Sequence, residues 1–196
     1  MPATWKTIPN LLSLSRIVFL PLLYVFALMD LRLAFLIAYI LIGSTDAFDG
    51  YIARKYNMVS EFGKTIDSFA DILFYVSTAY FLFVLYPERL LANSVLVITF
   101  FVQFIFSFIL SAILIKKPVM MHTMMLRYTA VLVYVLVVTS YFFDTTLFLS
   151  VILILYIVGF AEEMLIFVFY GDVDRDTKSI FHLKKAQKNK KITQTP

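Results

Sequence analysis

The chain has no cysteine and few charged residues, and each shortage narrows the kind of protein it encodes. Without cysteine there is no disulfide and no thiol chemistry, but the absence of cysteine does not indicate the cellular compartment. Charged residues make up 15% of the 196 residues and hydrophobic ones 61%, and the mean hydropathy is +0.87. A soluble domain is about a quarter charged. Because apolar runs of about 18 residues or more also recur, the composition predicts an integral membrane protein rather than a soluble one.

The hydropathy pattern predicts an all-α, polytopic membrane protein with six transmembrane helices. The predicted spans fall at about residues 9–29, 33–54, 65–86, 90–115, 123–143 and 146–170. No internal repeat is visible. The short N-terminal segment, with Lys6 and a late, long apolar run, does not predict a removable signal peptide of the usual form.

Basic residues are distributed unevenly about these spans. If the N-terminus is cytosolic, fifteen of the 17 lysines and arginines lie on the cytosolic side, and only Arg32 and Arg89 lie on the other. The positive-inside rule therefore predicts that both termini are cytosolic. We expect residues 1–170 to form one six-helix membrane domain and residues 171–196 a basic cytosolic tail. The lysines of this tail suit anionic lipid headgroups better than nucleic acid.

The first span begins with more polar residues than an apolar helix needs. Asn10, Ser13 and Arg16 recur at a spacing of three and therefore share one face of the helix. Pro21, in the middle of the span, is expected to kink it. The rest of the span is apolar, so the polar face is confined to its start.

Acidic residues stand at both ends of the polar connection between spans two and three. Each residue of a helix turns by about 100°, so Asp49 lies about 60° to one side of Asp46 and Gly50 about 40° to the other, with Ala53 between them. On span three a spacing of four places a second stripe on one face, consisting of Gly63, Asp67 and Asp71. If the two helices are antiparallel neighbours, the four aspartates converge on one pocket near the cytosolic surface.

Four carboxylates inside a membrane protein need positive partners, since an ionised aspartate costs about 2.5–3.5 kcal/mol at the centre of a membrane helix. The nearby Arg54, Lys55 and Lys64 are too few to neutralise a tight cluster. Carboxylate oxygens without Cys or His favour hard cations such as magnesium, manganese or calcium. Two such ions would balance four carboxylates and could hold a phosphate. The small residues on the stripes leave room for a ligand, or for close packing of helices.

These residues match D-x2-D-G-x2-A-R-x8-G-x3-D-x3-D without departure, and the pattern resembles the signature of the CDP-alcohol phosphotransferases. Its fixed positions are Asp46, Asp49, Gly50, Ala53, Arg54, Gly63, Asp67 and Asp71. The six-span layout agrees with this family, so the resemblance covers most of the chain in architecture and residues 46–71 in motif. It implies a metal-dependent transferase of phospholipid biosynthesis. A CDP-linked lipid, such as CDP-diacylglycerol or CDP-archaeol, would donate a phosphatidyl-type group to a small polar alcohol and release CMP.

The resemblance also implies roles for individual residues. Two Mg²⁺ (or Mn²⁺) ions would be bound by Asp46, Asp49, Asp67 and Asp71. Asp71 would in addition act as the general base on the acceptor hydroxyl. The nucleotide would contact Gly50, Ala53, Arg54 and Gly63. Residues 1–170 would then be the catalytic domain of a homodimer in the cell membrane, with an active site that faces the cytosol and no nucleic-acid partner.

The acceptor alcohol is less well specified. Lys116, Lys117 and Arg127, at the entry to span five, could bind an anionic acceptor such as glycerol phosphate or inositol phosphate, although an Arg127 that snorkels to lipid headgroups fits equally well. The opening IPNLLSLSR is similar to the first helix of bacterial phosphatidylglycerophosphate synthases, which favours glycerol 3-phosphate. Glu162 or Glu163 could contact serine instead, or could pair with a basic residue of a neighbouring helix.

Two other classes of function compete with the transferase. Acids inside a membrane also mark ion paths, so a divalent-cation transporter is one alternative. Such a path should be polar through the full depth of the bilayer, whereas the outer halves of spans two and three are apolar. A scaffold without activity is the second alternative, and the intact Asp71 and Arg54 speak against it.

Overall fold

In a computed structural model, the described residues are 7–56, 58, 60–116, 123–171, 173, 177 and 179–184. Among them the structure is helical and contains no strand. The helices are α1 (Ile8–Leu28), α2 (Arg32–Lys55), α3 (Glu61–Leu85), α4 (Pro87–Ala92), α5 (Ser94–Leu114), α6 (Met124–Ser140) and α7 (Thr146–Tyr170). A further helical turn covers 180–184. Residues 172, 174–176, 178 and 185–196 of the predicted tail, and Lys6, lie outside the described residues.

Five of these helices are long and apolar enough to cross a membrane: α1, α2, α3, α5 and α7. The remaining predicted span coincides with α6, which has 17 residues, a little short of the roughly 20 that an upright span needs. In the part of the chain that the structure describes, the protein is therefore all-helical, with five to six apolar helices that could span a membrane.

Between the spans predicted as three and four, the described residues include a short helix that was not predicted, α4. It arises at a proline, which the hydropathy pattern does not distinguish from its apolar neighbours. Tyr86, the residue before the proline, departs from the helical conformation (φ −140°, ψ 50°), and so α3 ends at Leu85. Pro87 then begins α4, where its missing N–H costs nothing. A second break at Asn93 delays α5 to Ser94, so the span predicted from about residue 90 begins later than expected.

The chain divides into two compact units, and the first contains the described residues up to Leu90 together with Val137–Phe143. In it α1 packs against both α2 and α3. One end of this three-helix group is filled by aromatic rings, with centroids 5.0 Å apart for Phe35 and Phe81 and 5.1 Å for Tyr39 and Phe74. The Tyr39 hydroxyl is paired with Thr78 Oγ1 at 3.0 Å. The start of α1, the end of α2 and the start of α3 meet at the opposite end.

The second unit contains Leu91–Leu136 and the described residues from Asp144 onward, with α5 packed against α7. Ser107 donates a hydrogen bond to the fully buried carboxylate of Glu163 at 2.9 Å. The neighbouring Glu162 accepts a hydrogen bond from the backbone N–H of Ile180 at 3.0 Å. Glu162 thus ties the helical turn at 180–184 to α7, a structural role that the sequence did not indicate.

Candidate active site

The site is built where three helix ends meet in the first unit. The polar start of α1 supplies Asn10, Ser13 and Arg16, all of which are buried. Ser60 fixes the start of α3, because its Oγ accepts the backbone N–H of Gly63 at 3.0 Å and so caps the helix. This cap determines where along the helix the acids of α3 begin.

Three carboxylates form a compact set at this end. Oxygen atoms of Asp46, Asp49 and Asp67 all lie within 4.8 Å of one another, close enough to share a metal ion. Asp49 is buried, Asp67 is half-buried and Asp46 is exposed, so the set opens on one side. Asp71 lies one turn beyond Asp67 on α3 and stands outside this set.

Arg16 lies in the middle of all four aspartates. Its Nη2 is 2.8 Å from Asp49 Oδ2 and 3.3 Å from Asp67 Oδ1. Its Nη1 is 3.2 Å from Asp46 Oδ1 and also forms an ion pair with Asp71. The arginine side chain is only 2% exposed. Among the described side chains, one guanidinium therefore faces four carboxylates, an arrangement that leaves an excess of negative charge suited to further cations.

The sequence did not indicate that α1 belongs to the site. The Ser13 hydroxyl lies 2.8 Å from Asp49 Oδ2 and 3.5 Å from Asp67 Oδ1, so it supports the same two carboxylates as Arg16. The available signal was the shared polar face of Asn10, Ser13 and Arg16 at the start of an apolar helix. Periodicity identifies such a face but does not say which neighbouring helix it contacts.

A cavity of about 240 Å³ adjoins the acids. Its lining residues are Pro9, Asn10, Ser13, Asp49, Gly50, Ala53, Met58, Ser60, Gly63 and Asp67. The small residues of the two predicted stripes, Gly50, Ala53 and Gly63, are thus on its wall. Carboxylates at one side and small side chains at the other fit a ligand that carries phosphate next to a bulkier group.

Gly63 also has a packing role. A Cβ at this position would lie 2.6 Å from Asn10 Oδ1 and 3.1 Å from Ser60 Oγ. The glycine therefore lets the buried Asn10 side chain of α1 rest against the start of α3. From the sequence, a small residue here could serve either close helix packing or space for a ligand. Gly63 serves both, since it contacts Asn10 and also lines the cavity.

We predict that Gly63→Ala lowers the free energy of unfolding by about 1–3 kcal/mol, the usual cost of overpacking. Asn10→Ala, which removes the clashing atom, should recover part of that loss in the double variant. The measurement is a double-mutant cycle by thermal unfolding of the detergent-solubilised protein.

Gly159→Ala is the matched control, since its Cβ would lie 2.7 Å from Leu126 Cδ2 in the second unit. Gly159→Ala, in the interior of α7, also gains helix propensity of up to about 1 kcal/mol, whereas Gly63→Ala, in the first turn of α3, gains less. Asn10→Ala should not relieve Gly159→Ala. If the effects of Asn10→Ala and Gly63→Ala are simply additive, the contact between these residues does not constrain the helix pair.

Two of the residues predicted for the acceptor, Lys116 and Arg127, lie in the second unit. Lys116 is exposed just beyond the end of α5, and Arg127 is exposed near the start of α6. Lys117 lies outside the described residues, and so does the side chain of Arg54. Lys55, one of the cations close to the acids in sequence, instead places its Nζ 5.3 Å from the centre of the Tyr51 ring.

Comparison with known proteins finds several similar phosphatidyltransferases. The chain is 42% identical over 71 residues to the CDP-diacylglycerol–glycerol-3-phosphate 3-phosphatidyltransferase of Rickettsia typhi, a match that covers 35% of this chain and 40% of the relative. It is 40% identical over 67 residues to the protein of the same name from Aquifex aeolicus, covering 34% and 38%. It is 37% identical over 90 residues to the CDP-diacylglycerol–inositol 3-phosphatidyltransferase of Candida albicans, covering 46% and 39%.

The chain thus spans about 40% of the length of the relatives that it matches. The family comparison extends much further. A family model described as CDP-alcohol phosphatidyltransferase matches residues 6–167, which include α1 to α6 and most of α7. By that match the chain belongs to the CDP-alcohol phosphatidyltransferase family.

Proposed function

We propose that the protein transfers a phosphatidyl-type group from a CDP-linked lipid to a small alcohol and releases CMP. The observation that carries this proposal is the junction of a carboxylate cluster with a cavity lined by small residues, in a chain of this family. A cation transporter needs a polar path through the membrane. The other end of the three-helix group is instead packed with aromatic rings, which favours an enzyme.

The donor set at the cluster fits a hard divalent cation. Asp46, Asp49 and Asp67 offer only carboxylate oxygens, at mutual distances that a shared ion could bridge. We assign these residues, together with Asp71, to two Mg²⁺ or Mn²⁺ ions. When bound, such ions supply charge neutralisation at the pyrophosphate and stabilise the departing CMP oxygen.

The cavity is assigned to the nucleotide of the donor. Gly50, Ala53 and Gly63 provide the space, and the polar atoms of Asn10 and Ser60 line the same wall. Arg54, which follows Ala53 on α2, is proposed to bind the donor phosphates with its forked donor group.

The transfer itself needs one proton acceptor. The acceptor hydroxyl oxygen attacks the lipid-side phosphorus, the bond from that phosphorus to the CMP oxygen breaks, and the hydroxyl proton passes to a base. We assign the base to Asp71, because it adjoins the cluster but stands outside its compact set of three. A carboxylate so placed depends on positioning more than on basicity.

Glycerol 3-phosphate is the acceptor that the relatives favour, since several of them carry it in their names. Inositol is a second candidate, on the basis of the Candida albicans relative. Inositol phosphate and serine, the alternatives that the sequence suggested, are further candidates. We propose that Lys116, Lys117 and Arg127 attract the anionic group of the acceptor.

The location and assembly are also proposed. We propose that both termini, the basic tail and the mouth of the site lie at the cytosolic face of the cell membrane, a location that the distribution of basic residues favours. Residues 1–170 would be the catalytic domain, and the family resemblance suggests a homodimer.

The deciding experiment is a panel of acceptors. Purified protein in lipid is incubated with Mg²⁺ and either CDP-diacylglycerol or CDP-archaeol, each alcohol is added in turn, and CMP is measured. We expect CMP release with glycerol 3-phosphate above all others. No CMP with any acceptor, with Mn²⁺ also tried, would contradict the transferase.

A second prediction concerns Arg127. If it binds the acceptor phosphate, Arg127→Ala should raise KM for the phosphorylated alcohol about tenfold or more and leave KM for the CDP-linked lipid nearly unchanged. Arg89→Ala is the matched control, because Arg89 donates hydrogen bonds to backbone carbonyls of Ser140 and Phe143 in the first unit. Equal effects of Arg127→Ala on both substrates would remove Arg127 from the acceptor site.

A further inference from the structure

The guanidinium of Arg16 forms ion pairs with the carboxylates that we assign to metal ions. Its terminal nitrogens lie 2.8 Å from Asp49, 3.3 Å from Asp67 and 3.2 Å from Asp46. These are the same three residues whose oxygens lie within 4.8 Å of one another. A metal ion at this set and the guanidinium would therefore compete for the same carboxylates, and their like charges would repel.

The Arg16 guanidinium supplies positive charge to the site, but its hydrogen-bonding capacity is not fully used. Its Nε is buried and, within the described part of the chain, has no hydrogen-bond partner. A guanidinium offers five N–H donors, and a buried donor left unpaired is unfavourable. Only the two terminal nitrogens are engaged with the acids. This arrangement neutralises part of the negative charge of the four carboxylates. Because its Nε donor is unpaired, the guanidinium can be displaced when a more strongly bound cation enters.

We propose that Arg16 is the resident counter-ion of the acidic cluster, and that divalent ions must displace its guanidinium in order to bind. The proposal rests on the metal-dependent function proposed above and deepens it. Without ions, Arg16 keeps four neighbouring carboxylates from repelling one another inside an apolar helix group. With ions bound, its charge opposes theirs, so it sets how much free metal the site requires.

The test is the affinity of Arg16→Gln for Mn²⁺, measured on the detergent-solubilised protein by the electron paramagnetic resonance signal of free Mn²⁺. We expect binding about tenfold tighter than in the wild type, which corresponds to about 1.4 kcal/mol. In EDTA the melting temperature of the variant should be lower than that of the wild type, and added Mn²⁺ should raise it by more. A merely structural arginine would lower the melting temperature without tightening Mn²⁺ binding.

Arg32→Gln is the control, because Arg32 is an exposed arginine of α2 whose Nε is paired with Asp30 at 2.8 Å. It removes the same charge at a distance from the cluster and should leave Mn²⁺ affinity unchanged. Equal or weaker Mn²⁺ binding by Arg16→Gln overturns the counter-ion role. So does an effect of the same size in Arg32→Gln, since a general change in protein charge would then explain it.

Two further measurements keep the outcome decisive. If Arg16→Gln cannot be isolated, Arg16→Lys replaces it, because a single ammonium contacts fewer carboxylates than two guanidinium nitrogens; Mn²⁺ affinity should rise by a smaller factor, and no rise overturns the proposal. CMP release by the wild type is measured in parallel. Wild-type protein that releases CMP while its Arg16 variants bind Mn²⁺ no more tightly refutes the counter-ion alone, whereas Mn²⁺ binding without CMP release refutes the transferase alone.

Discussion

Replacement of Asp71 by asparagine should reduce CMP release by about 10²–10⁴-fold, the range expected when a general base is lost. Asparagine has nearly the same shape, so helix packing at the start of α3 should be preserved. The amide cannot accept the proton of the acceptor hydroxyl, however. Binding of CDP should change little, because the cavity is lined by Asp49 and Asp67 and not by Asp71.

The measurement compares the rate of CMP release with the dissociation constant for CDP in the same preparation. Asp30→Asn is the matched control, since Asp30 is an exposed aspartate whose known partner is Arg32. Asp30→Asn should retain the wild-type rate of CMP release and the wild-type dissociation constant for CDP. An Asp71→Asn protein that turns over at the wild-type rate shows that another group takes the proton.

The second large effect is expected at Asp49. This residue is the most buried carboxylate of the compact set and is held by the Ser13 hydroxyl at 2.8 Å and by Arg16 at 2.8 Å. A ligand so well oriented should contribute strongly to metal affinity, since even the partners that orient a ligand are worth about 10–100-fold. We expect Asp49→Asn to weaken Mn²⁺ binding at least tenfold and to lower CMP release in step with it.

Titration with Mn²⁺ separates a loss of metal binding from a loss of the general base. If Asp49 acts only through the metal, excess Mn²⁺ should restore part of the activity of Asp49→Asn, whereas Asp71→Asn, which also lacks the proton acceptor, should gain much less. Asp144→Asn serves as the control, because Asp144 is an exposed aspartate whose Oδ1 accepts the backbone N–H of Thr146. Unchanged Mn²⁺ affinity in Asp49→Asn would place the ions elsewhere.

The helices were predictable because hydrophobicity is a local property. The six predicted spans coincide with α1, α2, α3, α5, α6 and α7, and the one departure came from Pro87 and Asn93, which interrupt the backbone without changing the hydropathy. The chemistry of the acids was predictable for a similar reason. A spacing of three or four along a helix places Asp46 beside Asp49, and Gly63 in line with Asp67, whatever the rest of the fold does.

The contacts of α1 were not predictable in this way. Arg16 is separated by 33 residues from Asp49 and by 55 from Asp71, and no local pattern links them. Arg54 and Lys55 seemed the nearer cations in sequence, yet Lys55 lies over the ring of Tyr51. Distance along the chain says little about proximity when antiparallel helices bring their ends together.

The sequence by itself determined that the protein is helical and apolar and that its acids share one end of two helices. The choice of hard divalent cations, and of the CDP-linked donor that the family resemblance implies, stays a prediction. Only the tertiary structure decided what neutralises the acids and what forms the wall of the cavity. The rotation of α1 about its axis turns Arg16 toward the carboxylates and rests Asn10 against Gly63. That rotation is fixed by packing against two other helices at once, a long-range constraint that helical periodicity does not contain.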